Sequence, residues 1–166
     1  MQHTLYKYYN AYLLTGGNMG NRKENLLKAK TLIEQECGII KKASSIYETA
    51  AWGVTNQPNF YNQSLELHTF IKPIELMKKL LSIENKMGRV RTIKMGPRII
   101  DIDILLIENF ICNTDVLQLP HPALPLRKFA LTALAEIAAH AIHPVEKKSI
   151  LQLLQQCTDN LDVNKI

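Results

Sequence analysis

Two strand-like segments lie between one amphipathic helix and the next in this chain, and that spacing limits its fold more than any other feature. A short apolar run at 11–15 ends in Gly16-Gly17. The periodicity then predicts a helix over about 22–36, with Leu26, Ala29, Ile33 and Cys37 on one face and Gly38 placed to stop it. Residues 39–48, rich in Ile, Ser and Tyr, read as one strand. Gly53, Asn56 and Pro58 give 49–59 turn chemistry, and 60–69 alternate as the next strand. A second helix starts near Pro73, a residue tolerated in a first turn, and carries Leu76, Leu80, Ile83 and Met87 on its apolar face before Gly88 closes it. A basic loop at 89–97 leads into a strand at 98–107. Two short strands at 110–112 and 116–119 flank Asn113-Thr114-Asp115, and helices follow at about 126–139 and 149–157. The order β-α-β-β-α-β-(ββ)-α-α predicts an α+β fold with a mostly antiparallel sheet and helices packed on it. A doubly wound parallel sheet would need strict alternation of strand and helix.

The length of 166 residues suits one domain, 1–166, with residues 1–9 as a short N-terminal extension. At 46% hydrophobic residues the chain is globular in composition, which excludes wholesale disorder. No apolar run approaches the ~18–20 residues that span a bilayer, and the N-terminus lacks a signal-peptide core, so no membrane association and a cytoplasmic location are expected. Cys37, Cys112 and Cys157 are odd in number, far apart and without a Cys-x-x-Cys, which argues against a disulfide framework and a thiolate zinc site. A formal net charge of +5 fits an anionic partner, nucleic acid or a phosphorylated small molecule, without choosing between them.

The sharpest chemical signal is Asp101 and Asp103 in a strand that is otherwise Ile and Leu. Residues two apart in a strand point the same way, so two carboxylates share one surface. Like charges this close raise each other's proton affinity unless a cation intervenes, and a hard divalent ion such as Mg²⁺ is the natural remedy. A solvated strand face that happens to carry two acids is the plain alternative, but buried-type strands seldom carry acids freely. Arg89, Arg91, Lys94 and Arg98 lie directly upstream. Arginine forks suit phosphate oxygens, so a cationic loop feeding a two-carboxylate strand has the makings of a triphosphate clamp beside its metals.

Other segments carry weaker signals. Asn18-Met19-Gly20 lacks the Gly-Lys-Ser/Thr ending of a phosphate loop and reads as a tight strand-to-helix turn. Phe60 and Asn62 share a strand face, where an aromatic plate beside an amide suits a flat heterocycle. His121 sits in the rigid turn Leu119-Pro-His-Pro122, while His140 and His143 lack a third metal ligand nearby.

Together these segments resemble the 6-hydroxymethyl-7,8-dihydropterin pyrophosphokinase family of folate biosynthesis. The resemblance runs from about 11 to 157 through Leu14-Thr-Gly-Gly-Asn18, Ser44-Ser-Ile-Tyr-Glu-Thr49, Gln57-Pro-Asn-Phe-Tyr-Asn62, Gly88-Arg-Val-Arg91, Gly96-Pro-Arg-Ile-Ile-Asp-Ile-Asp-Ile104, Leu119-Pro-His-Pro122 and Arg127-Lys-Phe129. It implies a ferredoxin-like fold and an Mg²⁺-dependent diphosphotransferase that moves the terminal pyrophosphate of ATP to the pterin hydroxymethyl group and releases AMP. Asp101 and Asp103 would be the metal ligands for two Mg²⁺ ions bound with ATP. Arg89, Arg98, Asp101 and Asp103 would be catalytic. Glu84, Arg89, Arg91, Arg98, His121 and Arg127 would bind ATP, and Thr49, Trp52, Phe60, Asn62, Asp101 and Phe129 the pterin, with Phe60 and Phe129 as its sandwich. The expected partners are ATP and 6-hydroxymethyl-7,8-dihydropterin, with no nucleic acid and a monomeric chain. The sequence departs from the family pattern at Ala50-Ala51 after Thr49, at Trp52 in place of a smaller apolar residue, at Met95 in place of an aromatic, and at Ala133 in place of a proline. A basic ferredoxin-like module that binds nucleic acid is the rival from another class; the acidic pair, which would repel phosphates without metal, and the 7% aromatic content speak against it.

Overall fold

The structure is a computed structural model that describes residues 7–91 and 93–166. Strands β1 (Tyr9–Gly17), β2 (Ile39–Ala43), β3 (Tyr47–Thr49), β4 (Phe60–Thr69), β5 (Asp101–Ile107) and β8 (Val163–Lys165) form one antiparallel sheet, in the order β5-β1-β4-β3-β8 with β2 also paired to β4. Strands β6 (Cys112–Asn113) and β7 (Gln118–Leu119) make a small separate hairpin. Helices α1 (Arg22–Glu36) and α2 (Pro73–Lys86) cover one face of the sheet, and α3 (Lys128–Ala138) and α4 (Ile150–Gln156) the other. The expected α+β class and mostly antiparallel sheet are therefore present.

Strand alternation builds both cores. Ala11 and Leu13 of β1 pack with Leu26, Ala29 and Ile33 of α1 and Leu76, Leu80 and Ile83 of α2. Tyr12 and Leu14, one residue out of phase, face Leu131 and Leu134 of α3. Asn21 caps α1 by accepting the Glu24 N–H at 3.2 Å, and Ser149 and Gln152 form a reciprocal capping box on α4. Gly38 ends the first helix with a positive φ of 154°, where a Cβ would lie 2.2 Å from the His68 carbonyl oxygen.

Several boundaries differ from the sequence reading: the two short strands shrink to Cys112–Asn113 and Gln118–Leu119, the third helix starts at Lys128, and three further differences stand out. The run 39–48 is not one strand: Ser44 interrupts it. Its hydroxyl accepts the Ser64 N–H at 2.9 Å and donates to the Ser45 carbonyl at 2.7 Å, so the chain bends and then re-pairs with β4 as β3. The strand expected over 98–107 pairs only from Asp101. Residues 163–165, not expected to be ordered as strand, pair with β3. Of the expected extension, residues 1–6 lie outside the described residues, and Tyr9 already belongs to β1, its ring edge-on to Phe110 at 6.2 Å. Ala133 lies fully buried within α3, an ordinary helix position.

Between β1 and β5 the register shifts by one. Tyr12 opposes Leu106 and Leu13 opposes Ile104, which leaves Leu105 as an inserted bulge residue. Its carbonyl accepts the His121 N–H at 2.7 Å. The bulge thereby ties the turn after β7 to the strand that carries the acids. Asp101 and Asp103 share the α3 side of the sheet with Leu105.

Leu80 is fully buried between α2 and the sheet. Leu80→Ala should lower unfolding stability by about 2–5 kcal/mol through lost burial and an unfilled cavity. Chemical denaturation is expected to show a shifted midpoint with an unchanged slope.

Candidate active site

A cavity of about 660 Å³ opens beside the start of β5. Its wall includes Trp52, Phe60, Asn62, Arg89, Arg91, Arg98, Asp101, Asp103, His121, Arg127 and Phe129. Eleven of the thirteen residues singled out from the sequence thus line one space. The other two, Thr49 and Glu84, stand behind it. Thr49 Oγ1 accepts the Asn62 side-chain N–H at 3.0 Å and so turns the amide. Glu84 pairs with Arg89 from α2 and lies behind that guanidinium.

Strand register sets the spacing of the two halves of the site. Asp101, Gly16 and Asn62 sit opposite one another on β5, β1 and β4. Paired residues project to the same side, so an acid and an amide stand about 10 Å apart, two strand spacings, with glycine between them. A Cβ on Gly16 would lie 2.4 Å from Asn62 Oδ1, and one on Gly17 only 2.1 Å from the Ile99 carbonyl oxygen. The glycine pair therefore serves close packing at the cavity floor.

The electrostatics divide the charged residues into held and exposed groups. Arg89 is buried and bridges Glu84 and Asp101, with 2.7 Å to Asp101 Oδ1. Arg98 Nε lies 3.7 Å from Asp101 Oδ2, and its guanidinium stands 5.0 Å from the Phe60 ring centroid. Arg91 extends into solvent but still reaches Glu84 at 3.5 Å. Burial and then the charge of Asp101 push the Asp103 carboxyl up to about 7. Burial and Asp101 likewise raise Glu84 to about 7, against the opposing pull of Arg89. His121 titrates below its ordinary value, first from burial and then from the Arg127 charge. Its Nδ1 accepts the Ala123 N–H at 3.1 Å, so the neutral ring carries its proton on Nε2 as a donor.

Two polar residues and a glycine with no expected role organise the walls. Asn18 donates to Gln57 Oε1 at 2.9 Å and to the Pro58 carbonyl at 2.8 Å, while its Oδ1 accepts the Arg98 N–H at 2.9 Å. Gln57 donates to the Met95 carbonyl at 2.9 Å. Gly53, at φ +91°, leaves the room that Met95 fills: a Cβ there would meet the Met95 methyl carbon at 2.7 Å. The 50–59 segment and the basic loop are thus laced together. Met95, which stands where the family often has an aromatic, packs beside Gly53.

The acidic pair suits a hard divalent cation. Among the described residues no group of three or more His, Cys, Asp or Glu side chains gathers to hold a metal, so a cation held by this pair would draw its further oxygens from water or a bound ligand. A dication would also relieve the repulsion that raises Asp103.

Residues 12–139 match the 7,8-dihydro-6-hydroxymethylpterin-pyrophosphokinase (HPPK) family. The chain is 40% identical over 147 residues to the 2-amino-4-hydroxy-6-hydroxymethyldihydropteridine pyrophosphokinase of Aquifex aeolicus, covering 89% of this chain and 91% of that one. It is 41% identical over 133 residues to the folic acid synthesis protein FOL1 of Dictyostelium discoideum, of which it spans only 20% while 80% of this chain is covered. The HPPK-DHPS protein of Plasmodium falciparum superposes with a TM-score of 0.74 over 90% of this chain and 42% of that one, at 17% identity. This last likeness is one of fold.

Glu84 yields a pH prediction. A carboxyl raised in the folded state from 4.5 to about 7 contributes stability below its unfolded value and loses it as the pH rises through the folded one. Glu84→Gln removes that loss. The variant should melt with wild type at pH 4.5 and at least about 2 °C above it at pH 8.5, as read by calorimetry.

Proposed function

From the premise that this chain belongs to the 7,8-dihydro-6-hydroxymethylpterin-pyrophosphokinase family, we propose that it transfers pyrophosphate from ATP to the hydroxymethyl group of 6-hydroxymethyl-7,8-dihydropterin in folate biosynthesis. The hydroxymethyl oxygen bonds to the β-phosphorus. The bond from that phosphorus to the oxygen bridging the α-phosphate breaks, AMP leaves with the electron pair, and the hydroxyl proton passes to solvent. The observation that carries this reading is one cavity in which paired carboxylates, four arginines and a histidine donor share a wall with Phe60, Asn62 and Phe129.

Each half of the wall has its task. Asp101 and Asp103 would hold two Mg²⁺ ions brought in with ATP. Bound Mg²⁺ supplies neutralisation of the phosphate charge. Arg89 and Arg98 present planar forks to phosphate oxygens as charge moves onto the leaving group. Arg127, Arg91 and the His121 Nε2 proton add donors along the polyphosphate, and Glu84 holds Arg89 in place. Phe60 and Phe129 offer flat apolar faces to the pterin, Asn62 offers its amide edge as Thr49 orients it, and Trp52 borders the same space. No described helix is long and apolar enough to cross a membrane.

The test is product analysis with ATP, Mg²⁺ and the hydroxymethylpterin. AMP and a pterin diphosphate in equal amounts are expected; ADP in their place would point to attack at the γ-phosphorus and overturn the reading. Asp103→Asn should cut turnover at least ~10²-fold, the scale of losing one electrostatic group, and a chelator should abolish it in wild type.

Phe129→Ala separates the two ligands. Pterin binding should weaken by about 1–3 kcal/mol through lost burial and stacking, with ATP affinity little changed, by calorimetric titration. Equal losses for both ligands would make Phe129 a folding residue.

A further inference from the structure

We infer that Trp52, which enters the cavity from the segment between β3 and β4, is a positioning residue for Arg127 on the phosphate side. This rests on the pyrophosphokinase reading, which makes Arg127 a phosphate ligand. The Arg127 guanidinium carbon lies 4.8 Å from the centroid of the Trp52 ring. Both side chains are half-buried and line the same cavity.

What makes the stack matter is what Arg127 lacks. Arg89 is clamped by two carboxylates, and Arg98 is within reach of Asp101. Among the described residues Arg127 forms no ion pair, and its Nε is buried without a hydrogen-bond partner. The backbone is fixed: the Arg127 N–H donates to the Leu124 carbonyl at 3.3 Å, and its own carbonyl accepts the Leu131 N–H at 3.1 Å as α3 begins. Beyond that anchor the indole is the contact that sets the plane of the guanidinium. Stacking uses the face of the fork and leaves the N–H groups on its edge for an anion, which a carboxylate partner would have consumed.

The segment that carries the indole is itself held. Gln57 donates to the Val54 carbonyl at 2.6 Å and to the Met95 carbonyl at 2.9 Å, and Asn18 grips Gln57 and Pro58. A plate on an anchored loop can orient a side chain; one on a free loop would follow it. The two half-sites are therefore joined by one stacked pair, with the platform on the heterocycle side and the cation on the phosphate side.

Trp52 is the single tryptophan of the chain, so its emission reports on the stack. The experiment titrates the full-length protein with Mg²⁺ and α,β-methylene-ATP, without pterin, by calorimetry and by fluorescence, in wild type, Trp52→Leu, Trp52→Phe, Arg127→Ala and the Leu/Ala double variant. Trp52→Leu should bind the analogue about three- to tenfold more weakly, the span of a half-buried cation–aromatic contact, and Trp52→Phe should recover part of that. The double variant should bind no more weakly than Arg127→Ala alone, because the indole acts through the arginine. Analogue binding should change the wild-type emission, and that response should be lost in Arg127→Ala at saturating ligand. Unchanged affinity in Trp52→Leu, additive losses in the double variant, or a full emission response in Arg127→Ala would each overturn the inference while leaving the pyrophosphokinase reading intact. A wild-type chain that binds no analogue would overturn both.

Discussion

The site depends on strand register at one glycine. Gly16 stands between Asp101 and Asn62, and antiparallel pairing fixes all three on one face of the sheet. The separation of the acid from the amide is then a property of the backbone, set by strand spacing and not by flexible side chains. A one-residue slip of β5 would send both acids to the α1–α2 side, into apolar packing. The Leu105 bulge lies beyond the acids, so it corrects the inward packing of Leu106 and Ile107 without disturbing Asp101 and Asp103.

Around that frame the charges are arranged at a cost to the fold. Glu84, Asp101 and Asp103 crowd around Arg89 at one end of the site, and among the described residues only Arg89 touches two of them. Asp103 and Glu84 are both pushed toward neutral pH by burial and by the charge on Asp101. A chain selected for stability alone would replace one of these acids with an amide. Their crowding fits a site whose missing positive charge would arrive with its substrate, as in enzymes that hold strained electrostatics where chemistry occurs.

The parts of this arrangement that break a local pattern were legible in the sequence. Two acids in an Ile/Leu strand and four cations in ten residues announce themselves, and the helices at 22–36 and from Pro73 follow from periodicity and their stop signals. Glu84 entered only through the family resemblance, yet a signal existed: it lies four residues after Leu80, at the edge of the apolar stripe of α2, where an acid has to be buried. Asn18 and Gln57 were hidden because polar residues in turns are ordinary, and their partners lie 39 and 38 residues away in sequence. The break at Ser44 and the Leu105 bulge likewise depend on Ser64 and His121, which no local window contains. The small polar strand β8 has almost no pattern of its own and exists because β3 offers it an edge.

That edge has a consequence for biosynthesis. β3 carries Thr49, and among the described residues its outer edge pairs with β8. On the ribosome every other strand of the sheet is made before residues 163–165. Until they emerge, the nascent domain presents a bare row of backbone donors and acceptors beside its forming cavity. Such a row can template the wrong strand, from a neighbouring nascent chain for instance, so residues 163–165 act as a built-in guard against misassembly.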